Sequence, residues 1–189
     1  MVVAAVVLVP LLAGCSDDAS VTTGGLPQCT PRPGTVSAGV VVMAQAVPSA
    51  RWLPCIRAVP VGWTFDELKP RDGSATFALS AGPDGQRALV VLLRPSCDTA
   101  GSTEGTGAEP GIRRFDGAAR VSPGYSAERH YVFAGGCVTY RFDLRGASAA
   151  QPVAPLTAAL GFVSRAELAR LVHDTSDGRL RLDPPAAER

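Results

Sequence analysis

The chain has no asparagine, one lysine (Lys69) and two histidines (His130 and His173). No Cys-x-x-Cys spacing occurs, and neither histidine lies near a cysteine along the chain. Zinc sites are usually announced by such spacings, so no metal is expected. The glycines at 105, 107 and 111 miss the dinucleotide-binding spacing and open no helix, so no nucleotide cofactor is expected either. The formal net charge is +1, and neither sign is in excess. That leaves no electrostatic case for a nucleic-acid partner. No apolar run reaches the about 20 residues needed to cross a bilayer.

The longest apolar run is the first. Residues 2–14 hold only Val, Ala, Leu, Pro and Gly, and they end in Leu12-Ala13-Gly14-Cys15. The segment has the length of a secretory h-region with small residues at the cut. It resembles the lipobox of bacterial lipoprotein precursors. The resemblance covers about the first fifteen residues and implies cleavage before Cys15 with lipidation of that cysteine. It implies an extracytoplasmic protein held at the cell membrane through its lipid. No Lys or Arg precedes the apolar run, although such a charge normally orients a signal segment. The expectation is therefore that the true start lies upstream of Met1. The basic residues are almost all Arg, and Ala, Gly, Pro and Val are abundant. That bias resembles a high-GC genome such as an actinobacterial one.

The expected organisation follows from composition. Residues 1–14 read as signal peptide and 15–27 as a lipidated tether, small and polar, unable to bury enough surface to offset its ordering entropy. Residues 28–184 are long enough for one domain with its own core, and 185–189 read as a frayed tail.

Of five cysteines, four remain once Cys15 is assigned to lipid: Cys29, Cys55, Cys97 and Cys137. An even set in an exported domain points to disulfides. Cys97 follows the end of one expected strand and Cys137 begins another. If those strands are antiparallel neighbours, the two ends meet within disulfide reach. The expected pairing is Cys29–Cys55 with Cys97–Cys137.

Residues 28–60 are Pro-rich and read as irregular; Val40–Ala46 fits either a short helix or a strand. From residue 61 the pattern is β. Val61–Lys69, Ala75–Ser80 and Gln86–Arg94 are separated by Pro70-Arg-Asp-Gly73 and Gly82-Pro-Asp-Gly85, whose residues preset tight turns. These three form an expected meander. Residues 98–111 show no periodicity and read as a surface loop. Arg129–Ala134 and Cys137–Leu144 flank Gly135-Gly136, a two-residue hairpin signal.

The carboxy-terminal part reads as helical. Pro155–Leu160 suggests one short helix. Ser164 followed by Glu167 is a capping box, with Val163 and Leu168 at the staple positions. Leu168, Leu171 and Val172 then form an apolar stripe. Asp177-Gly178 ends the helix, and Arg179–Asp183 alternates like an edge strand. The expected fold is α+β: an antiparallel sheet of about five to six strands with two C-terminal helices on one face.

Little in the chain resembles catalytic machinery. Gly124-Tyr-Ser126-Ala-Glu128 has a glutamate where a nucleophile elbow needs glycine. His130 follows four residues after Ser126 and fits a surface or half-buried strand histidine. Asp66 and Glu67, adjacent on a strand, should point to opposite faces. Arg113, Arg114, Arg120, Arg129, Arg141 and Arg145 are interspersed with Asp116, Glu128 and Asp143, and read as solvated cations rather than an anion site. Trp52, Trp63, Tyr125, Tyr131 and Tyr140 read as core or core-edge residues.

The sequence thus leads to a non-enzymatic envelope protein that binds or scaffolds an envelope protein, a polymer or a small ligand. A small-ligand or lipid carrier with an apolar cavity between sheet and helices is the second expectation. An envelope hydrolase using Ser126 and His130 is the third.

Overall fold

The computed structural model describes residues 25–31, 35–81, 86–106, 109–145 and 152–183. The expected signal peptide, Cys15, most of the expected tether, residues 82–85 and the residues from 184 onward lie outside the described residues.

The elements, in chain order, are α1 (Ala38–Ala46), β1 (Trp52–Ile56), β2 (Trp63–Arg71), β3 (Ser74–Ala81), β4 (Gln86–Arg94), β5 (Thr103–Gly105), β6 (Arg113–Asp116), β7 (Tyr125–Phe133), β8 (Gly136–Leu144), α2 (Val153–Ala159), β9 (Leu160–Ser164) and α3 (Arg165–Thr175). The fold is mixed α+β and its sheets are antiparallel. One sheet has seven strands in the order β2-β3-β4-β8-β7-β6-β5, and β1 pairs with β9 in a second, two-stranded sheet. The assembly is larger than the five to six strands expected. Among the described residues, one of the three helices, α1, precedes every strand.

The expected meander forms, with β2 pairing β3 and β3 pairing β4. Gly73 takes φ +71° between β2 and β3, and its N–H donates to the carbonyl of Ala46 at 2.9 Å. β4 then pairs with β8, from Leu89 opposite Phe142 to Arg94 opposite Cys137. In the β7–β8 hairpin, Phe133 pairs with Gly136, so the two turn residues are Ala134 and Gly135 rather than the two glycines. Gly135 alone of the pair takes positive φ, and a Cβ there would strike the carbonyl of Ser49. Gly136 is already in the strand, under the Phe133 ring and Ala50.

The Pro-rich stretch is not irregular. Ala38–Ala46 resolves to helix, lying against β1, β2 and β3. Strand β1 tolerates Pro54 for a geometric reason. The Arg165 N–H donates to Arg51 O and the Arg57 N–H to Ala159 O, so bonded pairs alternate along the ladder and Pro54 falls opposite Phe162 at a non-bonded pair. Its missing donor is not needed there. On the other edge of β1, Ile56 donates to Pro27 O and accepts from the Cys29 N–H.

The core lies between the large sheet and this covering layer. Phe77, Leu79, Leu89, Leu93 and Tyr140 from the sheet meet Val40, Met43, Leu53, Ile56 and Leu156, each 1% exposed or less. Each such side chain contributes about 1.5–3 kcal/mol of burial free energy, which outweighs any local propensity in holding a short helix such as α1.

Helix α3 starts where its cap predicts. The Ser164 hydroxyl accepts from the Glu167 N–H at 3.1 Å, while the Glu167 carboxylate pairs with Arg170 at 2.6 Å instead of reaching back. Half of the capping box is therefore built. Ser164→Ala is expected to cost about 1 kcal/mol, read as a lower urea midpoint with an unchanged slope. The chain after α3 is not an edge strand. Gly178 N–H donates to His173 O, and Leu180 N–H to the Ser176 hydroxyl, so the segment is spent on closing the helix.

Candidate functional site

The alternation of β7 and β8 sorts their side chains. Tyr131 and Phe133 on β7, with Val138, Tyr140 and Phe142 on β8, face the core. Burial pushes the Tyr140 hydroxyl well above the usual tyrosine range. Ser126, Glu128 and His130 share the opposite face of β7, and Cys137, Thr139, Arg141 and Asp143 stand across from them on β8.

His130 is buried, at 6% exposure, as are Cys137 and Thr139 across from it. Its Nδ1 lies 3.0 Å from the Thr139 hydroxyl and its Nε2 lies 3.8 Å from a Glu128 oxygen. The other Glu128 oxygen accepts from Arg141 Nε at 2.7 Å. The segment after β4 folds back over this face. Cys97 pairs with Cys137, with Cα atoms 5.8 Å apart, and Asp98 accepts from the Ala100 N–H to shape the next turn. Together these groups border an open, shallow polar recess of about 550 Å³, with Asp98, Ser102, Arg120, Ser126, Glu128 and His130 in its lining.

The structure places Ser126 and His130 on one face but does not bring them together. At about 3.4 Å per residue their Cα atoms stand about 14 Å apart along β7. The imidazole nitrogens instead face Thr139 and Glu128. A serine nucleophile needs its base within hydrogen-bond reach, and this pair lacks that contact.

Cys29 and Cys55 also meet, with Cα atoms 4.9 Å apart. Both expected cysteine pairs thus lie at disulfide distance. What sequence distance concealed is the neighbour of the second pair. His130 is far from Cys97 along the chain, yet the ligand atoms of Cys97, His130 and Cys137 all lie within 4.8 Å of one another. Strand pairing supplies the approach, since Thr139 opposes His130 and Cys137 is two residues away on the same face. The one legible signal was the shared parity of Cys137 and Thr139.

The acidic pair at Asp66 and Glu67 also behaves differently from expectation. A bulge interrupts the β2–β3 register between Phe65 and Leu68. Both carboxylates then reach Arg87, Glu67 at 2.6 Å and Asp66 at 3.6 Å, and Lys69 bonds Glu67 at 2.7 Å. A bulge breaks the two-residue alternation, so two neighbours serve one cation.

The arginines do not converge. Arg113 pairs with Glu104, and Arg141 with Glu128. Arg114 and Arg129 both bond Asp116, at 2.7 and 2.5 Å. Partial burial of Asp116 acts to raise its pKa, but the hydrogen bonds from Arg129 and Arg114 prevail and hold it below the usual aspartate value. Arg129 also reaches the Thr157 hydroxyl at 3.2 Å, tying β7 to α2.

A second recess of about 520 Å³ opens at the surface beside α3, with Trp52, Pro110, Ala134, Ala169 and Leu182 among its walls. Trp52 lines this recess and Tyr125 another, whereas Tyr131 and Tyr140 are core residues.

No family model matches the chain, and no curated protein or solved structure matches it either.

Proposed function

We propose that this protein is a lipid-anchored extracytoplasmic envelope protein with a non-enzymatic binding or scaffolding role. The observation that carries the reading is the cysteine arithmetic. Cys29 with Cys55, and Cys97 with Cys137, stand at disulfide distance, which uses every cysteine except Cys15. Disulfides persist in oxidising compartments outside the cytoplasm, and the odd cysteine sits where the lipobox resemblance puts the lipid. The absence of a Ser126–His130 contact removes one motive for an enzymatic reading. The outer-face recess over β7 offers polar groups of both signs to an envelope protein, polymer or small ligand.

A carrier of small apolar ligands is the second reading, favoured by the largely apolar recess at Trp52. It differs from the expected cavity in position. The space between sheet and helices is filled by Tyr140, Phe77, Met43 and Leu53, and the recess lies outside that layer.

The anchor is tested by metabolic labelling with a fatty acid, the gene being expressed from its own locus. Wild type is expected to carry label and to fractionate with membranes. Cys15→Ala is expected to lose both. An unlabelled wild-type protein refutes the proposal.

A further inference from the structure

We propose that Cys97, Cys137 and His130 form a redox-gated site for a thiophilic d10 cation such as Zn²⁺, closed while the cysteines are joined and opened when they are reduced. The inference stands on the Cys97–Cys137 pair and His130 and does not depend on the lipid anchor.

The ligand set comes first. Two thiolates and one imidazole are the donors that borderline-soft divalent cations prefer. Tetrahedral coordination with Zn–S of about 2.3 Å and Zn–N of about 2.0 Å sets ligand–ligand edges of about 3.5–3.8 Å. The three donor atoms already lie within 4.8 Å of one another, so rotation of two cysteine side chains closes the difference. The β4–β8 ladder, where Arg94 opposes Cys137, and the β7–β8 ladder, where His130 opposes Thr139, hold two of the three ligands, and Cys97 follows three residues after the end of β4.

Charge comes next. Two thiolates neutralise a divalent cation and the imidazole adds none, so the filled site carries no net charge into a buried position. The two nitrogens of the imidazole have different neighbours, Thr139 Oγ1 3.0 Å from Nδ1 and a Glu128 oxygen 3.8 Å from Nε2; the nitrogen that ligates the cation gives up its neighbour, and the other keeps a partner of the sort that tunes metal ligands. His130 also lines the polar recess, which supplies an entry path and room for a water as fourth ligand. Among the described residues this is the single cluster of its kind, and Cys29–Cys55 has no third donor beside it.

The gate is thiol–disulfide exchange. An extracytoplasmic dithiol donates two electrons and two protons, becomes a disulfide itself, and leaves Cys97 and Cys137 as thiols. Binding of the cation then displaces both thiol protons.

The test uses the full chain carrying Cys15→Ser, so that no thiol is contributed by that position. The protein is reduced with a phosphine, and Zn²⁺ affinity is measured by competition with a chromophoric chelator. Co²⁺ substitution reports thiolate ligation through its charge-transfer absorption. Reduced protein is expected to bind one equivalent at least tenfold more tightly than oxidised protein. His130→Ala is expected to weaken binding tenfold or more, Cys97→Ser/Cys137→Ser to abolish the cobalt signal, and Cys29→Ser/Cys55→Ser to retain it. Equal affinity in the reduced parent and His130→Ala overturns the proposal, as does equal affinity before and after reduction. So does a reduced chain that unfolds by circular dichroism and is not restored by Zn²⁺.

Discussion

Arg165→Met is expected to lower the unfolding free energy by about 3 kcal/mol, because one buried guanidinium joins three parts of the fold. Arg165 opens α3 and is 6% exposed. Its Nη1 donates to Ala44 O at 2.7 Å and its Nη2 to Asp183 O at 2.8 Å. Its own N–H donates to Arg51 O at 2.8 Å. The side chain thus clamps the last turn of α1 and the segment following α3. Burial lowers the pKa of the group from the usual arginine value. The cation therefore bears a desolvation cost, and that cost offsets part of its gain. Hydrogen bonds to charged groups contribute about 1.5–3 kcal/mol each, so two bonds less desolvation leave the stated figure. Urea denaturation checks it. Arg165→Lys should fall between the two, since an ammonium lacks the fork that spans both carbonyls. A Met variant within 0.5 kcal/mol of wild type would remove the clamp from the account.

Separating the cysteine pairs is expected to have an effect of similar or greater size. Cys29 and Cys55 are 26 residues apart and Cys97 and Cys137 are 40 apart. In the chain-entropy model those closures stabilise by about 3.5 and about 4 kcal/mol. For a chain of this size each loss should lower the melting temperature by roughly 10 °C. The two losses should differ in location. Residues 27–29 meet β1 through the Cys29–Ile56 and Ile56–Pro27 bonds, so Cys29→Ala/Cys55→Ala should expose those amides to hydrogen exchange while the large sheet stays protected. Cys97→Ala/Cys137→Ala should free the 97–102 segment from the outer face and open the recess above His130. Variants with unchanged melting temperatures and exchange patterns would show that neither pair cross-links the folded protein.

The legible parts of this fold share one property: their signal is local. β8 alternates in two-residue steps, β2, β3 and β4 are strand-like runs set apart by Pro- and Gly-bearing turn residues, the β7–β8 hairpin is marked by its glycines, and the α3 cap is a four-residue pattern. The cysteine pairing was legible because it needed only strand ends and an antiparallel assumption. The opaque parts depend on a partner. β5 is three residues long and carries no period. It exists because β6 pairs along β7 and leaves an edge, and the Glu104–Arg113 ion pair sits on that edge. β1 contains a proline and reads as a loop until β9 fixes which pairs are bonded. Arg179–Asp183 has the alternation of a strand, but its backbone groups serve the end of α3 and Arg165 instead of a sheet edge.

The chain by itself determined the α+β class, the central strands, the α3 start and the even cysteine set beside Cys15, because each rests on neighbours a few residues apart. Tertiary structure alone decided that α1 is a helix, that Asp66 and Glu67 share Arg87, that Arg165 is a buried clamp, and that Ser126 and His130 stand apart. It also brought His130 beside Cys97 and Cys137. Strand pairing makes neighbours of residues tens of positions apart, and no spacing rule along the chain encodes that proximity.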